Sequence, residues 1–422
     1  MNDKNITYDP SCMDDYDPAS MDAQIAQQHI LQSILPVDEV ETVAIRDALN
    51  RVVAENIYSA IDVPSHTNSA MDGYAIRSCD IPKKLSQAFR LIGTSWAGRP
   101  YSGLVGENEC VRIMTGAVMP DATDTVVMQE HVHVDDKLIT IDNKQQAYQN
   151  VRLAGEDIAQ GDLVFSPGQC LSPSDIGLIA SLGIGEVKVR RKLRVAFFST
   201  GDELVSIGSE LKAGQIYDSN RYTLWCMLAR LGVEINDLGV IRDTPEAVEK
   251  AFQKASENSD IVITSGGVSV GDADFVKATL AKLGKVNFWK VAMKPGRPLA
   301  FGKIKNAYFF GLPGNPVSVM VTFYIFVQAA IEKMMGREPK QRLRIKAISE
   351  SDLRKRSGRV EYQRGIYRIN DNGDYLVSKT GAQGSGILRS MSDANCFIYM
   401  PMSSSGAGKG DSVEIWPFDS FI

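Results

Sequence analysis

Between Asp22 and Leu35 the apolar residues Ile25, Ile30, Leu31 and Ile34 fall at helical spacing behind Asp22, a carboxylate suited to capping a first turn; a helix is predicted there. VAIRDAL reads as a second helical stretch and RVVAENIYS as a strand. The polar loop SHTNSAMDGYAIR then sets Asp72 and Gly73 immediately before another strand, where a turn would use them in any case. From Phe89 to Asp142 the pattern is one of short strands broken by Gly, Pro and Asp turns, in FRLIGTSWAGRP, ECVRIMTGAVMPDATDTVVMQE and VHVDDKLITID, which predicts a small β domain. Thr115 and Gly116 fall in a loop between two of these strands. After Val151 the composition changes again, to VRLAGEDIAQGDLVFSPG, a capped helix from Ser172-Pro173 and GEVKV. These segments lie on both sides of the β region, so the β domain (61–150) is expected to be inserted into a mixed α/β domain made of 1–60 and 151–192.

At Leu193 strands and helices begin to alternate, as in a doubly wound α/β domain expected over 193–340. LRVAFFSTGDEL is a strand that runs out at Gly201-Asp202-Glu203. YDSNRYTLWCMLARLG is a helix with Asp218 or Ser219 at its start, an apolar stripe through Leu224, Met227, Leu228 and Leu231, and Gly232 as its stop. VEINDLGVIRD is a strand ending at Asp243, and Thr244-Pro245-Glu246 starts the next helix. Further strands are expected at 260–264, 286–293 and 307–310, with a helix at 274–283 and a long one after Pro316. Beyond Arg337 the helices give out: LRIKAIS, GRVEYQRGIYRI, DYLVSKT, NCFIYMP and DSVEIWPF alternate apolar and polar, which predicts a C-terminal β-barrel-like or sandwich domain over 341–422.

Three apolar runs ending in Gly, Ser or Asn follow one another: DIVITSGGVSVGDADF, FWKVAMKPGRPLAFG and AYFFGLPGNPVS. Buried strands end in loops this way, so three polar loops reach one sheet edge. Ligands bind at that edge of open α/β sheets, where unpaired N–H groups at helix N-termini favour anions. The first loop supplies Ser265, Gly266, Gly267, Ser269 and Gly271, small residues that let main chain approach a phosphate, then Asp272 and Asp274, the latter suited to a divalent cation. The second supplies Lys290 and Lys294, close enough in sequence to serve one oxyanion. The third is Gly314, Asn315 and Pro316 opening a helix, with Ser318 in its first turn. Glu203 and Asp243 sit at strand ends of the same sheet. Any one of these loops alone reads as a glycine turn; together they suggest a phosphorylated substrate held with Mg²⁺.

Composition narrows the class. With 422 residues, 44% of them hydrophobic, the chain should divide into several domains, and a net charge of −5 without a basic run interleaved with aromatics gives no nucleic-acid footprint. The substrate should be small. The six cysteines form no C-x-x-C pair, which predicts a reduced, cytoplasmic setting. His131 and His133 have no third ligand near in sequence and read as a solvated strand face. The acidic start MNDKNITYDPSCMDDYDP is the opposite of a signal peptide. The uncharged run Val317–Ile331 falls short of the roughly 20 residues of a membrane span and reads as a buried core helix. No G-x-G-x-x-G follows the first α/β strand, which argues against a dinucleotide oxidoreductase, and SGAGKGDS at 405–412 lacks the spacing of a phosphate loop.

In this order SAMDGYAIR, TGAVMP, STGDEL, GQIYDSNR, SGGVSVGDAD, FWKVAMKPGRP, FGLPGNPVS and GAQGSGILRS resemble the molybdopterin molybdenumtransferase family, MoeA and the related domain of gephyrin, from about residue 20 to the end. The resemblance implies an elongated homodimer of four-domain subunits, its central domain MogA-like, with an active site shared between subunits. It implies insertion of molybdenum from molybdate into adenylylated molybdopterin with Mg²⁺, releasing AMP and forming molybdenum cofactor. The family's acids carry over onto Asp72, Glu203, Asp243 and Asp274, its threonine onto Thr115, its lysines onto Lys290 and Lys294, and its molybdate-associated pair onto Arg364 and Ser385. Asp243 and Asp274 would hold the metal. The adenylyltransferase that makes the substrate and molybdoenzyme-maturation proteins are the partners such a chain would meet; neither nucleic acid nor membrane is expected. Two alternatives share parts of the pattern: the adenylyltransferase itself, and a non-enzymatic gephyrin-like scaffold.

Overall fold

The computed structural model describes residues 20–266, 274–337 and 342–421. The chain divides into two units, Thr42–Val189 and a second made of Met1–Glu41 with Arg190–Ile422.

In the first unit six strands lie in the order Thr125–Met128, Gly73–Ile76, Glu109–Ile113, Ser86–Ser95, Leu138–Asp142, Val132–Asp135. Alternate residues turn inward, so Tyr74, Ile76, Phe89, Cys110, Val127, Ile139 and Ile141 form one core. Burial raises the Cys110 thiol pKa to about 12, so it packs as a small apolar group. A separate core gathers Ala48 and Val53 with Phe165, Leu171, Ile179, Val187 and Val189, from the two flanks of the sheet region. The Pro173–Ser181 helix starts with the reciprocal cap its sequence offers: Ser172 Oγ accepts from the Asp175 N–H, and the Asp175 carboxylate accepts from the Ser172 N–H. VAIRDAL is not an α-helix. Val40–Ala44 is extended and Ile45–Asp47 is a single 3₁₀ turn, because β-branched residues and so short a run do not sustain a helix. His131 ends a 3₁₀ turn and His133 lies on the following strand, both exposed.

The second unit is built on a six-stranded sheet in the order Glu234–Ile241, Arg194–Thr200, Ile261–Ser265, Ala307–Leu312, Pro298–Ile304, Gly284–Lys290. The first four run parallel, as the near-continuous apolar runs of the inner three predict. Pro298–Ile304, which the sequence pattern did not mark as a strand, is antiparallel to both neighbours. It turns back through a two-residue hairpin in which Lys305 has φ 51°. Two reversals restore the original direction, so Lys290 ends at the same sheet edge as Thr200, Ser265 and Leu312. The Pro245–Glu257 helix packs Val248, Ala251, Phe252 and Ala255 against Phe198, Val262 and Phe309.

On this sheet rests a helix of 19 residues, Pro316–Met334, long and apolar enough to cross a membrane but with 78% of its most apolar window buried in the fold. The Ala23–Ser33 helix packs with it, Gln27 Nε2 donating to the Ile325 carbonyl at 2.6 Å. Asp22 caps that first helix through the N–H groups of Gln24 and Ile25; Ile30 and Ile34 are buried but Ile25 is half exposed, so the inward stripe is narrower than the spacing suggests.

The last region is a closed barrel of five strands. Val360–Ile369 pairs with Tyr375–Lys379, which pairs in turn with Ile345–Ser349, Ser412–Pro417, Cys396–Met400 and again Val360–Ile369. A two-residue strand, Met293–Lys294, joins its rim in parallel, opposite Val360 and Glu361. The lysine loop of the α/β sheet is thereby fastened to the barrel.

Candidate functional site

Three α/β strands stop side by side, with Ser199 opposite Ser265 and Ser265 opposite Leu312. Gly266 follows with φ +89°, and a Cβ there would meet the Thr200 carbonyl oxygen at 2.7 Å, so only glycine lets these two strand ends approach. The neighbouring loop lies within van der Waals reach: a Cβ on Gly314 would lie 3.9 Å from Gly266 Cα. Asn220 ties the two together. This nearly buried side chain, in the first turn of the Ser219–Leu231 helix, donates through Nδ2 to Ser265 Oγ at 2.9 Å and to the Gly314 carbonyl at 2.7 Å. The helix itself is held by Asp218, which accepts from the Arg221 N–H at 3.1 Å.

The next loop residue carries the connection to the barrel. Asn315 precedes the Pro316–Thr322 turn of the long helix but does not cap it; its Nδ2 donates to Ser385 Oγ at 3.1 Å, while the Val317 N–H donates to the Ser385 carbonyl at 3.0 Å. Gly384, one residue before, accepts from Arg364 Nη2 at 3.1 Å. Arg364 is 1% exposed, and its Nε donates to Ser390 Oγ at 3.1 Å. The lysine loop closes on itself through the Val291 N–H and Arg297 carbonyl at 2.7 Å. It is pressed on the long helix at Gly296, where φ is +100° and a Cβ would come 2.6 Å from Thr322 Oγ1. Lys294 is half-buried and Lys290 exposed. Ser265, Gly266, Gly314, Asn315, Lys294, Arg364 and Ser385 are thus linked by contacts running from sheet edge to barrel, while Pro316 and Ser318 lie in the first turn of the long helix, Ser318 buried.

The acids fall into two groups. The Asp243 carboxyl is raised above the ordinary range, first by partial burial and then by the nearby charges of Asp202 and Glu203. The main chain joins these strand ends too, the Asp243 N–H donating to Asp202 Oδ1 at 3.3 Å. In the other unit Asp72 Oδ1 accepts from the Thr115 N–H at 2.7 Å and from Thr115 Oγ1 at 2.8 Å, the two bonds that lower its pKa. Gly267, Ser269 and Gly271 lie outside the described residues, as does the Asp274 side chain; Asp274 begins the Asp274–Leu283 helix. Among the described residues no three His, Cys, Asp or Glu side chains form a closed metal cage. Mg²⁺ does not require one, since it commonly takes one or two carboxylates together with substrate phosphates and water, and the crowded negative charge at Asp243 suits a cation.

Sequence reading did not single out Asn220, Gln383 or Ser390. Asn220 sits beside a capping aspartate and passes for a second capping residue, while Gln383 and Ser390 lie within the quoted GAQGSGILRS stretch without an evident role.

Residues 21–183 match the family model described as MoeA N-terminal region (domain I and II), 196–333 the Probable molybdopterin binding domain, and 346–418 the MoeA C-terminal region (domain IV). The chain is 46% identical over 399 residues to a molybdopterin molybdenumtransferase of Haemophilus influenzae, covering 94% of this chain and 98% of that one. It is 35% identical to one from Nostoc sp., covering 89% of this chain and 88% of that one. A crystal structure of the molybdopterin biosynthesis moeA protein from Pyrococcus horikoshii superimposes with a TM-score of 0.83 at 29% identity, over 94% of this chain and all of that one. On this ground the chain belongs to the MoeA family of molybdopterin molybdenumtransferases.

Proposed function

We propose that this chain inserts molybdenum from molybdate into adenylylated molybdopterin, releasing AMP and leaving molybdenum cofactor. One observation carries the reading: the hydrogen-bonded run from Ser265 through Asn220 to Gly314, and from Asn315 through Ser385 and Gly384 to Arg364, sets anion-friendly loops beside a buried guanidinium. Ser265, Gly266 and Gly314 offer small side chains that let the substrate phosphates come close to the main chain. Lys290 and Lys294 act on oxyanions as point charges, and Arg364 with Ser385 takes molybdate. Asp243, with Asp202 and Glu203 near it, and Asp274 would hold Mg²⁺. When bound, Mg²⁺ polarises the phosphoanhydride and offsets charge on the leaving AMP. The chain needs no protein nucleophile, because the dithiolene sulfurs of the substrate receive the metal.

The direct test is AMP release from adenylylated molybdopterin with molybdate, with tungstate and with neither, each with and without Mg²⁺. Release that ignores the oxyanion would sink the assignment, and a scaffold would release none. We place the reaction in the cytoplasm and in a homodimer, where Asp72 and Thr115 of one subunit serve the site of its partner. Mixing Asp72→Asn and Asp274→Asn proteins, each inactive alone, tests this: in a mixed two-fold dimer one site collects both defects and the other none, so after subunit exchange activity recovers to about a quarter of wild type. No recovery, with exchange verified by mass tags, rejects the shared site.

A further inference from the structure

The pairing of the strand carrying Arg364 with Tyr375–Lys379 ends with Gly365 opposite Lys379, after which the chain departs as the loop bearing Ser385. At Arg364 the strand keeps only half of the next rung, in which the Thr380 N–H donates to the Arg364 carbonyl at 2.9 Å. A side chain fills the other half of that rung. Gln383 Oε1 accepts from the Arg364 N–H at 2.7 Å, and Gln383 Nε2 donates to the Arg364 carbonyl at 3.2 Å. A primary amide has the donor and acceptor of a peptide unit, so Gln383 takes the place of the strand acceptor for the Arg364 N–H and pins its loop to the barrel there. The same Nε2 also bonds the Thr380 carbonyl, while Thr380 Oγ1 donates to the Arg364 carbonyl at 3.2 Å. Two residues beyond the pin, Ser385 meets Asn315 and Val317 of the α/β domain. On the other side of the loop Ser390, 4% exposed, accepts from Arg364 Nε and donates to the Ile387 carbonyl at 2.7 Å.

We infer that Gln383 is the positioning residue that fixes the spacing between the Arg364 guanidinium and Ser385, and through that spacing sets the affinity for a tetrahedral oxyanion. The inference rests on the reading that Arg364 and Ser385 take molybdate. Gln383 does not itself touch the anion: its amide is committed to main chain. Its contribution is to hold two groups from different parts of the barrel in one geometry, the case in which a small displacement costs affinity without removing a contact.

The test uses the full chain and four variants: Gln383→Met, which keeps length and loses the amide; Gln383→Glu, which keeps the acceptor for the Arg364 N–H and loses the donor; Arg364→Met; and Ser385→Ala. Molybdate and tungstate binding are measured by calorimetry, alongside KM for molybdate, KM for adenylylated molybdopterin, and melting temperature. Gln383→Met is expected to weaken molybdate binding and raise its KM by about tenfold, while KM for the pterin substrate moves less than about twofold and kcat recovers at saturating molybdate. Gln383→Glu is expected to be at least as impaired, since its carboxylate would face the Arg364 and Thr380 carbonyls. A merely structural glutamine would lower the melting temperature and leave the two KM values in their wild-type ratio, which overturns the inference. So does a Gln383→Glu protein with wild-type molybdate affinity, and this second variant decides the matter if Gln383→Met does not fold. If Arg364→Met and Ser385→Ala also bind molybdate normally, the oxyanion reading itself has failed. If they bind weakly and the Gln383 variants do not, only the positioning role has.

Discussion

Asn220→Ala is the substitution whose effect can be worked most directly from the structure. It deletes two hydrogen bonds, at 2.9 Å to Ser265 Oγ and 2.7 Å to the Gly314 carbonyl. A buried hydrogen bond contributes about 1 kcal/mol net, and an acceptor left unsatisfied costs about 1–3 kcal/mol. Ser265 is 1% exposed, so its hydroxyl cannot turn to water, whereas Gly314 lies at the surface and its carbonyl can be rehydrated. The loss should therefore come to about 2–3 kcal/mol. At about 2–4 °C per kcal/mol for a unit of this size, the transition should move down by about 4–12 °C. Calorimetric melting of the full chain measures that part. Activity should fall as well, because Asn220 holds apart-in-sequence loops at one spacing: at 25 °C, well below either transition, kcat/KM for adenylylated molybdopterin should drop about 10–100-fold. Melting within a degree of wild type would mean the two bonds are not formed. A lowered transition with unchanged kcat/KM would mean that the spacing of the Ser265 and Gly314 loops does not matter to the chemistry.

Asp243→Asn removes a carboxylate held among Asp202 and Glu203, so it should leave stability unchanged or raise it by up to about 0.5 kcal/mol while Mg²⁺-dependent AMP release falls; a destabilised, active variant would contradict both parts. Because the raised Asp243 pKa lets protons compete with the cation, the Mg²⁺ concentration for half-maximal rate should increase as pH falls toward the carboxylate range, and a flat profile would count against Asp243 as a ligand. Lys290→Met and Lys294→Met should each weaken phosphate or molybdate binding by about 1–3 kcal/mol by calorimetry, and unchanged binding would make them structural lysines. Asp72 titrates below the ordinary carboxylate range, so the stabilisation it draws from Thr115 is complete at neutral pH and is lost only as pH falls through that lowered value; in Thr115→Val, carboxyl-resolved NMR should find the Asp72 titration shifted upward.

The sheet edge was legible because its strands are nearly pure Val, Ile and Phe and stop at glycine, a pattern that follows from burial on both faces. Pro298–Ile304 escaped notice for the same physical reason in reverse. It begins with Pro, which cannot donate to a ladder, contains Gly302 and Lys303, and returns through Lys305-Asn306, without the Asn-Gly or Asp-Gly pair that marks a hairpin. VAIRDAL misled because its spacing suits a helix while its β-branched residues and brevity favour extended chain. Among the candidate site residues, glycines and lysines stand out by type, since few other roles call for them in such loops. Asn220 and Gln383 were not, because a neutral amide has no spacing signature: its value lies in which two main-chain segments it bridges, and that is a property of the fold.

The long helix shows why the barrel and the sheet edge must act together. A helix start ordinarily satisfies its first N–H groups with a side chain at the residue before it, and Asn315 is well suited to do so. Here the Asn315 amide instead reaches Ser385 Oγ, and the Val317 N–H is taken by the Ser385 carbonyl. The barrel loop has therefore become the cap of the α/β helix. Moving the loop away would leave Val317 without its partner at a position that is otherwise buried, a cost of about 1–3 kcal/mol that opposes any opening at this point. The lysine loop is held in the same sense, with Met293–Lys294 laid along Val360–Glu361 of the barrel. The α/β domain thus contributes charge and glycine turns while the barrel determines where they stand, so under the proposed function a substitution in the barrel rim, far in sequence from the glycine loops, should be read out in oxyanion affinity before it is read out in stability.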